Sequence, residues 1–287
     1  MHLSTLLAIL LLAGCAPADP TANLRSALTF FASFDEGFDA DFAAGDATLY
    51  VAPTLNTVAD ARPATAADSL VRLEAGGRDG DSGQALQFSS NWDPFVFYRA
   101  NQNVDYRTSD WSGTFSLWLR IDPDRDLKPG YSDPFLVSDK NWDDASLYID
   151  FTQDDSPRHF RFAAIADKSI WNPNNISWDD LPFADRPMID LGQPLFAADR
   201  WTHVAFTFEG YNNGDDAGRL VGYIDGERVG VLEGRRQTIT WTPEQAFMAL
   251  GRHYAGGLDE LAVFNRALSD EEVRTLYGMS AGELTPH

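Results

Sequence analysis

The sequence predicts an all-β protein in which two antiparallel sheets pack face to face, with one short C-terminal helix closing the chain. Three observations predict it. Apolar residues alternate with a period of two over most of the chain, clusters of Gly, Asp, Asn and Pro separate the alternating runs, and only the far C-terminus changes to a helical period. With 287 residues, 44% hydrophobic and 13% aromatic, the chain can fill a large core, and one domain with insertions is expected.

The N-terminus comes first. Leu3 to Leu12 form an apolar run too short to span a bilayer, and Leu12-Ala13-Gly14 then brings small residues up to Cys15, the single cysteine. This stretch resembles a bacterial lipobox. The resemblance implies a signal peptide over residues 1–14, cleavage before Cys15, acylation of its sulfur and amino terminus, and attachment to a membrane through lipid alone. Ala16, where Asp would favour retention in the inner membrane, points to the outer membrane or cell surface. The leader MHLST lacks Lys and Arg, so an ordinary secretory signal with a chance cysteine is the alternative. Both readings export the protein, and a lone cysteine leaves no intramolecular disulfide. Residues 15–27, with Pro17 and Pro20, read as a polar tether.

From residue 28 the strands follow in order. In LTFFASF, Leu28, Phe30, Ala32 and Phe34 share a face; in TFSLWLRI, so do Phe115, Leu117, Leu119 and Ile121. Further strand-like runs are ATLYVA, SLVRLEA, QALQFSS, FVFYRA, SLYIDFT, HFRFAAIA, THVAFTFE, RLVGYID, ERVGVLE, FMALGR and GGLDELAVF. Asp225-Gly226 between two of them is a hairpin signal, because both central positions of a type I′ turn need positive φ. Ser269 and Glu272 make a capping box, Val273, Leu276 and Tyr277 give one apolar helical face, and Gly278 ends it. Residues 279–287 read as a tail.

Charge removes several function classes. A formal charge of −21 repels nucleic acid and anionic lipid and suits an acidic surface that takes up cations. His2, His159, His203, His253 and His287 are not spaced as zinc ligands, and there is no Gly-x-Ser-x-Gly elbow or phosphate loop.

The motifs GTFSLWLRI, DRWTHVAFTFEG, GYIDGERVG and LDELAVFNRALS, in that order, resemble the LamG-like family of concanavalin A-like lectin/glucanase jelly rolls. The match covers most of residues 28–278 and implies two curved antiparallel sheets; about 250 residues is long for one such module, and an insertion about residues 167–200 accounts for the excess. Glycosidases of this class carry Glu-x-Asp-x-x-Glu, and no Glu here has an Asp two positions later. Asp259 and Glu260 are adjacent, so a regular strand directs them to opposite faces, where they cannot flank one bond. The resemblance implies instead a structural calcium held by Asp35, Asp259 and backbone carbonyls near Gly83. In the alternative, Asp259 caps a neighbouring loop and binds nothing.

Binding candidates come from the outward face of the strands. If Leu147, Phe160 and Val204 point inward, then Tyr148, Asp150, His159, Arg161 and His203 point outward, with Trp118 and Arg120 on the same outer face. The insertion SIWNPNNISWDDLPF adds Trp171 and Trp178 among Asn, Asp and Pro. Sugar rings stack on aromatics while Asn, Asp and Arg take their hydroxyls, so Trp118, Arg120, Tyr148, Asp150, Trp171, Trp178 and His203 are the expected ligand residues. The competing reading makes the loop aromatics a miniature core. The function expected is a non-catalytic carbohydrate-binding module, with a glycan-cleaving enzyme or a protein-binding module as alternatives.

Overall fold

The structure is a computed structural model that describes residues 20–68, 71–89, 95–193 and 195–285. The expected signal peptide and Cys15 lie outside the described residues.

Two antiparallel sheets form a sandwich. The nine-stranded sheet holds β1 (Leu28–Ala32), β2 (Phe42–Ala43), β5 (Val71–Gly77), β6 (Gly80–Phe88), β8 (Trp111–Arg120), β13 (Thr202–Tyr211), β14 (Gly218–Ile224), β15 (Glu227–Arg235) and β17 (Gly256–Phe264). The eight-stranded sheet holds β3 (Tyr50–Ala52), β4 (Arg62–Pro63), β7 (Phe95–Arg99), β9 (Ser132–Ser138), β10 (Ser146–Phe151), β11 (Phe160–Ile165), β12 (Met188–Leu191) and β16 (Phe247–Arg252). Its order is β12-β11-β10-β9-β16-β7-β3-β4, so strands distant in sequence lie side by side. Among the described residues five short α-helices accompany them: α1 (Pro20–Ala27), α2 (Pro123–Asp126), α3 (Lys168–Trp171), α4 (Asp270–Gly278) and α5 (Ala281–Leu284).

Alternation decides which residues meet between the sheets. Phe30, Ala32, Phe34, Phe115, Leu117, Leu119, Leu147, Ile149, Phe160, Phe162, Val204 and Phe206 share one buried cluster. Leu28, expected with them, lies instead in a second cluster with Phe31, because the register of β1 on β17 shifts between Leu28 and Phe30. That second cluster covers the outer face of the nine-stranded sheet. There Leu24 of α1, Val273 and Leu276 of α4 and Ala281 and Leu284 of α5 bury Ala205, Val221 and Phe264.

This corrects both chain ends. The stretch read as a tether contains α1 from Pro20 onward, with Leu24 fully buried, because its apolar residues meet those of the C-terminal helices. The stretch read as a tail contains α5, so two helices rather than one close the fold. The Ser269–Glu272 capping box forms as expected, and Asp225 and Gly226 turn with φ of 49° and 78°. Within the insertion, residues 188–191 add an edge strand to the eight-stranded sheet beside β11.

Candidate functional site

The outer face of the eight-stranded sheet carries its own apolar layer. Phe95, Phe97, Leu136, Tyr148, Ala163, Phe247 and Ala249 are buried there beneath Leu55 and Val58 at one end and Trp142 and Trp171 at the other. The face is therefore mostly covered. A cleft of about 450 Å³ stays open, bordered by Tyr131, Trp142, Tyr148, Trp178 and Asp179, with Asp133, Asp150, Arg161 and Arg252 also lining it.

Strand register places the floor. Asp150 on β10 stands opposite Arg161 on β11, and Asp133 on β9 opposite Arg252 on β16. Arg161 grips Asp150 through both ends of its fork, Nε donating to Oδ1 at 2.8 Å and Nη2 to Oδ2. Each residue is only 2% exposed. Its guanidinium also lies 5.0 Å from the centre of the Tyr131 ring. Burial alone would push Arg161 down, yet the carboxylate of Asp150 holds it above the ordinary guanidinium value. Arg252 approaches Asp133 less closely, at 3.6 Å. Burial first, then the Asp150 carboxylate, pushes Asp133 up to about 7 against the opposing pull of Arg252 and Arg161.

The wall comes from loops. Trp142 follows β9, and its ring meets Trp178 edge to face at 5.4 Å. Trp171 stands behind, 6.2 Å from Trp178, with its Nε1 donating to the carbonyl of Asp143 at 3.0 Å. Arg186 caps the Trp178 ring at 4.8 Å. The insertion aromatics thus pack on one another, as the miniature-core reading expects, while Trp178 still presents to the cleft. The ring surfaces and the charged floor together suit a ligand with flat apolar faces edged by hydroxyls.

A family model for the concanavalin A-like lectin/glucanases superfamily matches residues 97–274, well over half of the chain. The chain belongs to that superfamily. No curated protein is significantly similar to it. Among solved structures it is similar to domain 4 of AbnA, a GH43 extracellular arabinanase from Geobacillus stearothermophilus in complex with arabinotriose. That match has 18% identity, a TM-score of 0.51, and covers 87% of this chain and 98% of that one. It is also similar to the botulinum neurotoxin serotype D ligand-binding domain in complex with N-acetylneuraminic acid, at 10% identity and TM-score 0.58, covering 91% of this chain and 52% of that one. The binding domain of Paraclostridial mosquitocidal protein 1 follows at 16% identity and TM-score 0.52, covering 88% and 52%. The chain spans about half the length of these toxin domains, and at such identities the likeness shows the shared fold.

Within this superfamily sandwich the seven expected ligand residues do not form one surface. Tyr148, Asp150 and Trp178 line the cleft, with Trp171 behind. Trp118, Arg120 and His203 belong to β8 and β13 of the other sheet, so they lie on the opposite outer face. There α4 covers Trp118 and His203. Tyr277 stacks on Trp118 at 5.5 Å with the planes 21° apart, Arg78 lies over the same ring at 4.4 Å, and His203 is fully buried. Its Nε2 is 2.9 Å from Ser116 Oγ, while its Nδ1 has no partner among the described residues; burial and then Arg78 push it down to about 3. Arg120 donates to the Gly76 carbonyl at 3.1 Å and stacks on Trp201. These three residues hold the fold together. His159, at the sheet edge, pairs through Nδ1 with Asp190 at 2.7 Å. Tyr131, Asp133, Trp142 and Arg252 are cleft residues that the sequence reading did not select.

The acids of β17 behave differently from expectation as well. Glu260 has φ of 47°, and the β17–β8 register shifts between Asp259 and Ala262. The bulge cancels the alternation, so both side chains approach the β5–β6 turn: Asp259 Oδ2 accepts from the Arg78 backbone N–H at 2.6 Å, and Glu260 Oε1 lies 3.5 Å from Arg78 Nη1. Burial pushes Asp259 up to about 7 and Glu260 to about 8, with Asp35 and Asp79 adding like charge. Asp35 Oδ1 accepts from the Gln84 N–H at 2.9 Å. A Cβ on Gly83 would come within 2.9 Å of Asp35 Oδ1, and one on Gly77 within 2.9 Å of Asp259 Oδ2. Glycine therefore keeps room for both carboxylates along one hairpin. Among the described residues no group of three or more His, Cys, Asp or Glu side chains is arranged to hold a metal, so a cation here would lean on backbone carbonyls.

Proposed function

We propose that this chain is a carbohydrate-binding module and that its ligand lies in the cleft on the outer face of the eight-stranded sheet. One observation carries the reading: Trp142, Tyr148 and Trp178 converge with Asp133, Asp150, Arg161 and Arg252 on the same opening. Membership of the superfamily and the sugar complexes of two neighbours support it. A glycan array probed with the chain from Cys15 onward, paired with a reducing-sugar assay on every hit, tests it: binding without sugar release is expected. Silence on the array would transfer the chain to the protein-binding reading.

A hydrolase on the same scaffold is the second reading. The observation favouring it is the adjacency of two buried carboxyl groups that burial pushes upward, Asp133 to about 7 and Asp150 against the pull of its partner Arg161. Such a pair divides the work of acid and base or nucleophile in glycoside cleavage. Release of sugar by the intact chain and its loss in Asp133→Asn would establish that reading.

Two further expectations belong to the proposal. Cys15 is the lipidated mature N-terminus of an exported protein attached to the outer membrane or cell surface; Cys15→Ala should abolish palmitate labelling and membrane association. Calcium is held by Asp35 and Asp259 with carbonyls around Gly83, where it would neutralise buried like charge. The donor set of hard oxygens and the space kept by Gly77 and Gly83 fit it. Chelator should then lower Tm and added calcium restore it, since an ion that binds only the folded state stabilises it by mass action.

A further inference from the structure

The charged groups under the cleft form a row across five adjacent strands. Arg252 on β16 faces Asp133 on β9, Asp150 on β10 faces Arg161 on β11, and Arg161 faces Asp190 on β12. Along the sheet order the residues run Arg, Asp, Asp, Arg, Asp. Every neighbouring pair joins a base to an acid except Asp133 and Asp150 at the centre.

Each arginine lining the cleft already has an acid beside it. Arg161 commits its fork to Asp150, and Arg252 lies 3.6 Å from Asp133. An exposed third acid, Asp179, borders the opening. A ligand carboxylate would therefore meet three acids, with the Arg161 fork taken by Asp150 and the charge of Arg252 already offset by Asp133. A sugar hydroxyl meets the reverse situation. It is a donor, and two carboxyl groups on neighbouring strands that both line the cleft offer acceptor oxygens.

We infer that the cleft selects uncharged sugar units over carboxylated ones, with the Asp133–Asp150 pair as the specificity-determining acceptors for ring hydroxyls. The inference rests on the carbohydrate-binding reading and names the chemical class that reading leaves open. The formal charge of −21 acts in the same direction at longer range, since it repels an anionic polysaccharide before contact.

Calorimetric titration of the full chain at physiological salt tests this with gluco-, galacto-, manno- and xylo-tetraose beside tetragalacturonic acid. At least one neutral tetrasaccharide should bind, and tetragalacturonate, with four carboxylates, should bind on the order of tenfold more weakly or not at all, about tenfold being the scale expected of a single one of them beside the cleft acids. Asp133→Asn and Asp179→Asn should each narrow that gap several-fold; Asp179 sits on an exposed loop, so its replacement leaves the sandwich intact. Tighter binding of tetragalacturonate than of every neutral sugar, or a gap that neither variant narrows, overturns the selectivity while leaving the carbohydrate-binding reading in place. Failure of every sugar here and on the glycan array overturns both.

Discussion

Replacing Asp150 with Asn should unfold the protein more readily before it says anything about ligands. The carboxylate and the Arg161 guanidinium are each 2% exposed and joined by two hydrogen bonds. Asn keeps the shape and loses the charge, so a buried cation is left with the Tyr131 ring and Asp190 across the strand. Breaking a buried pair from one side costs about 3–5 kcal/mol, largely the penalty of the uncompensated partner. At roughly 2–4 °C per kcal/mol for a domain of this size, Tm should fall by roughly 6–20 °C. The double variant Asp150→Leu/Arg161→Met removes both charges and should recover most of the loss. Urea unfolding of wild type, Asp150→Leu, Arg161→Met and the double variant forms a cycle that isolates the pair. A single-variant loss below about 1 kcal/mol, or a double variant no better than Asp150→Asn, would refute the reasoning. The consequence for function is direct. Lost binding in Asp150→Asn has a structural cause available, which makes Asp133 and Trp178 the cleaner probes of the cleft.

Trp178→Ala and Trp142→Ala should each weaken glycan binding roughly 3- to 10-fold, with Tm changed little beside the Asp150 variant, because both rings are only half-buried. Trp118→Ala should do the reverse, leaving affinity unchanged and costing about 3–5 kcal/mol in urea, since its ring is packed between Arg78 and Tyr277. His203 sits at about 3 in the fold against 6.5 unfolded, so the unfolded chain takes up the proton first. The stability it confers is complete above about pH 6.5 and is lost as pH falls toward 3, and His203→Gln should flatten that limb of a pH series of urea titrations. Asp259 and Glu260, raised to about 7 and 8, have the opposite sign: without a cation their contribution is full below about pH 4 and lost as pH rises through 7 to 8. Calcium should therefore raise Tm more at pH 8 than at pH 5.

The sandwich was legible because alternation reports a local property. Leu147, Phe160 and Val204 point inward as the period of two requires, and Ser269 and Glu272 cap the last long helix through contacts three residues apart. Where alternation breaks, legibility breaks with it. A positive φ at Glu260 and a register shift after Leu28 each move a side chain to the other face, and neither position carries the glycine or turn residues that would announce it. Sheet membership was illegible for a different reason. β8 and β10 both read as outward-polar strands, yet one pairs with β13 and the other with β9 and β11, so Trp118 and Tyr148 finish on opposite sides of the molecule. Period-two patterning fixes which side of its own sheet a residue faces and carries no information about which sheet that is.

The same distinction explains how the cleft is built. Both outer faces of the sandwich are apolar and both are covered, one by α1, α4 and α5, the other by loops. Helices pack along a sheet face and leave no gap over Trp118 and His203. The loops around Trp142 and Trp178 bridge β9, β10 and β11 from outside, and beneath them the floor is charged rather than apolar, so they stand over it as a wall instead of collapsing onto it. Floor and wall then answer to different constraints. Asp150 and Arg161 are buried strand residues whose replacement is felt by the whole domain, whereas Trp178 and Asp179 belong to the insertion and lie outside the core. Changes in the wall can therefore alter which sugar is held without changing whether the protein folds, and this independence is the physical ground for testing the ligand class through Trp178 and Asp179.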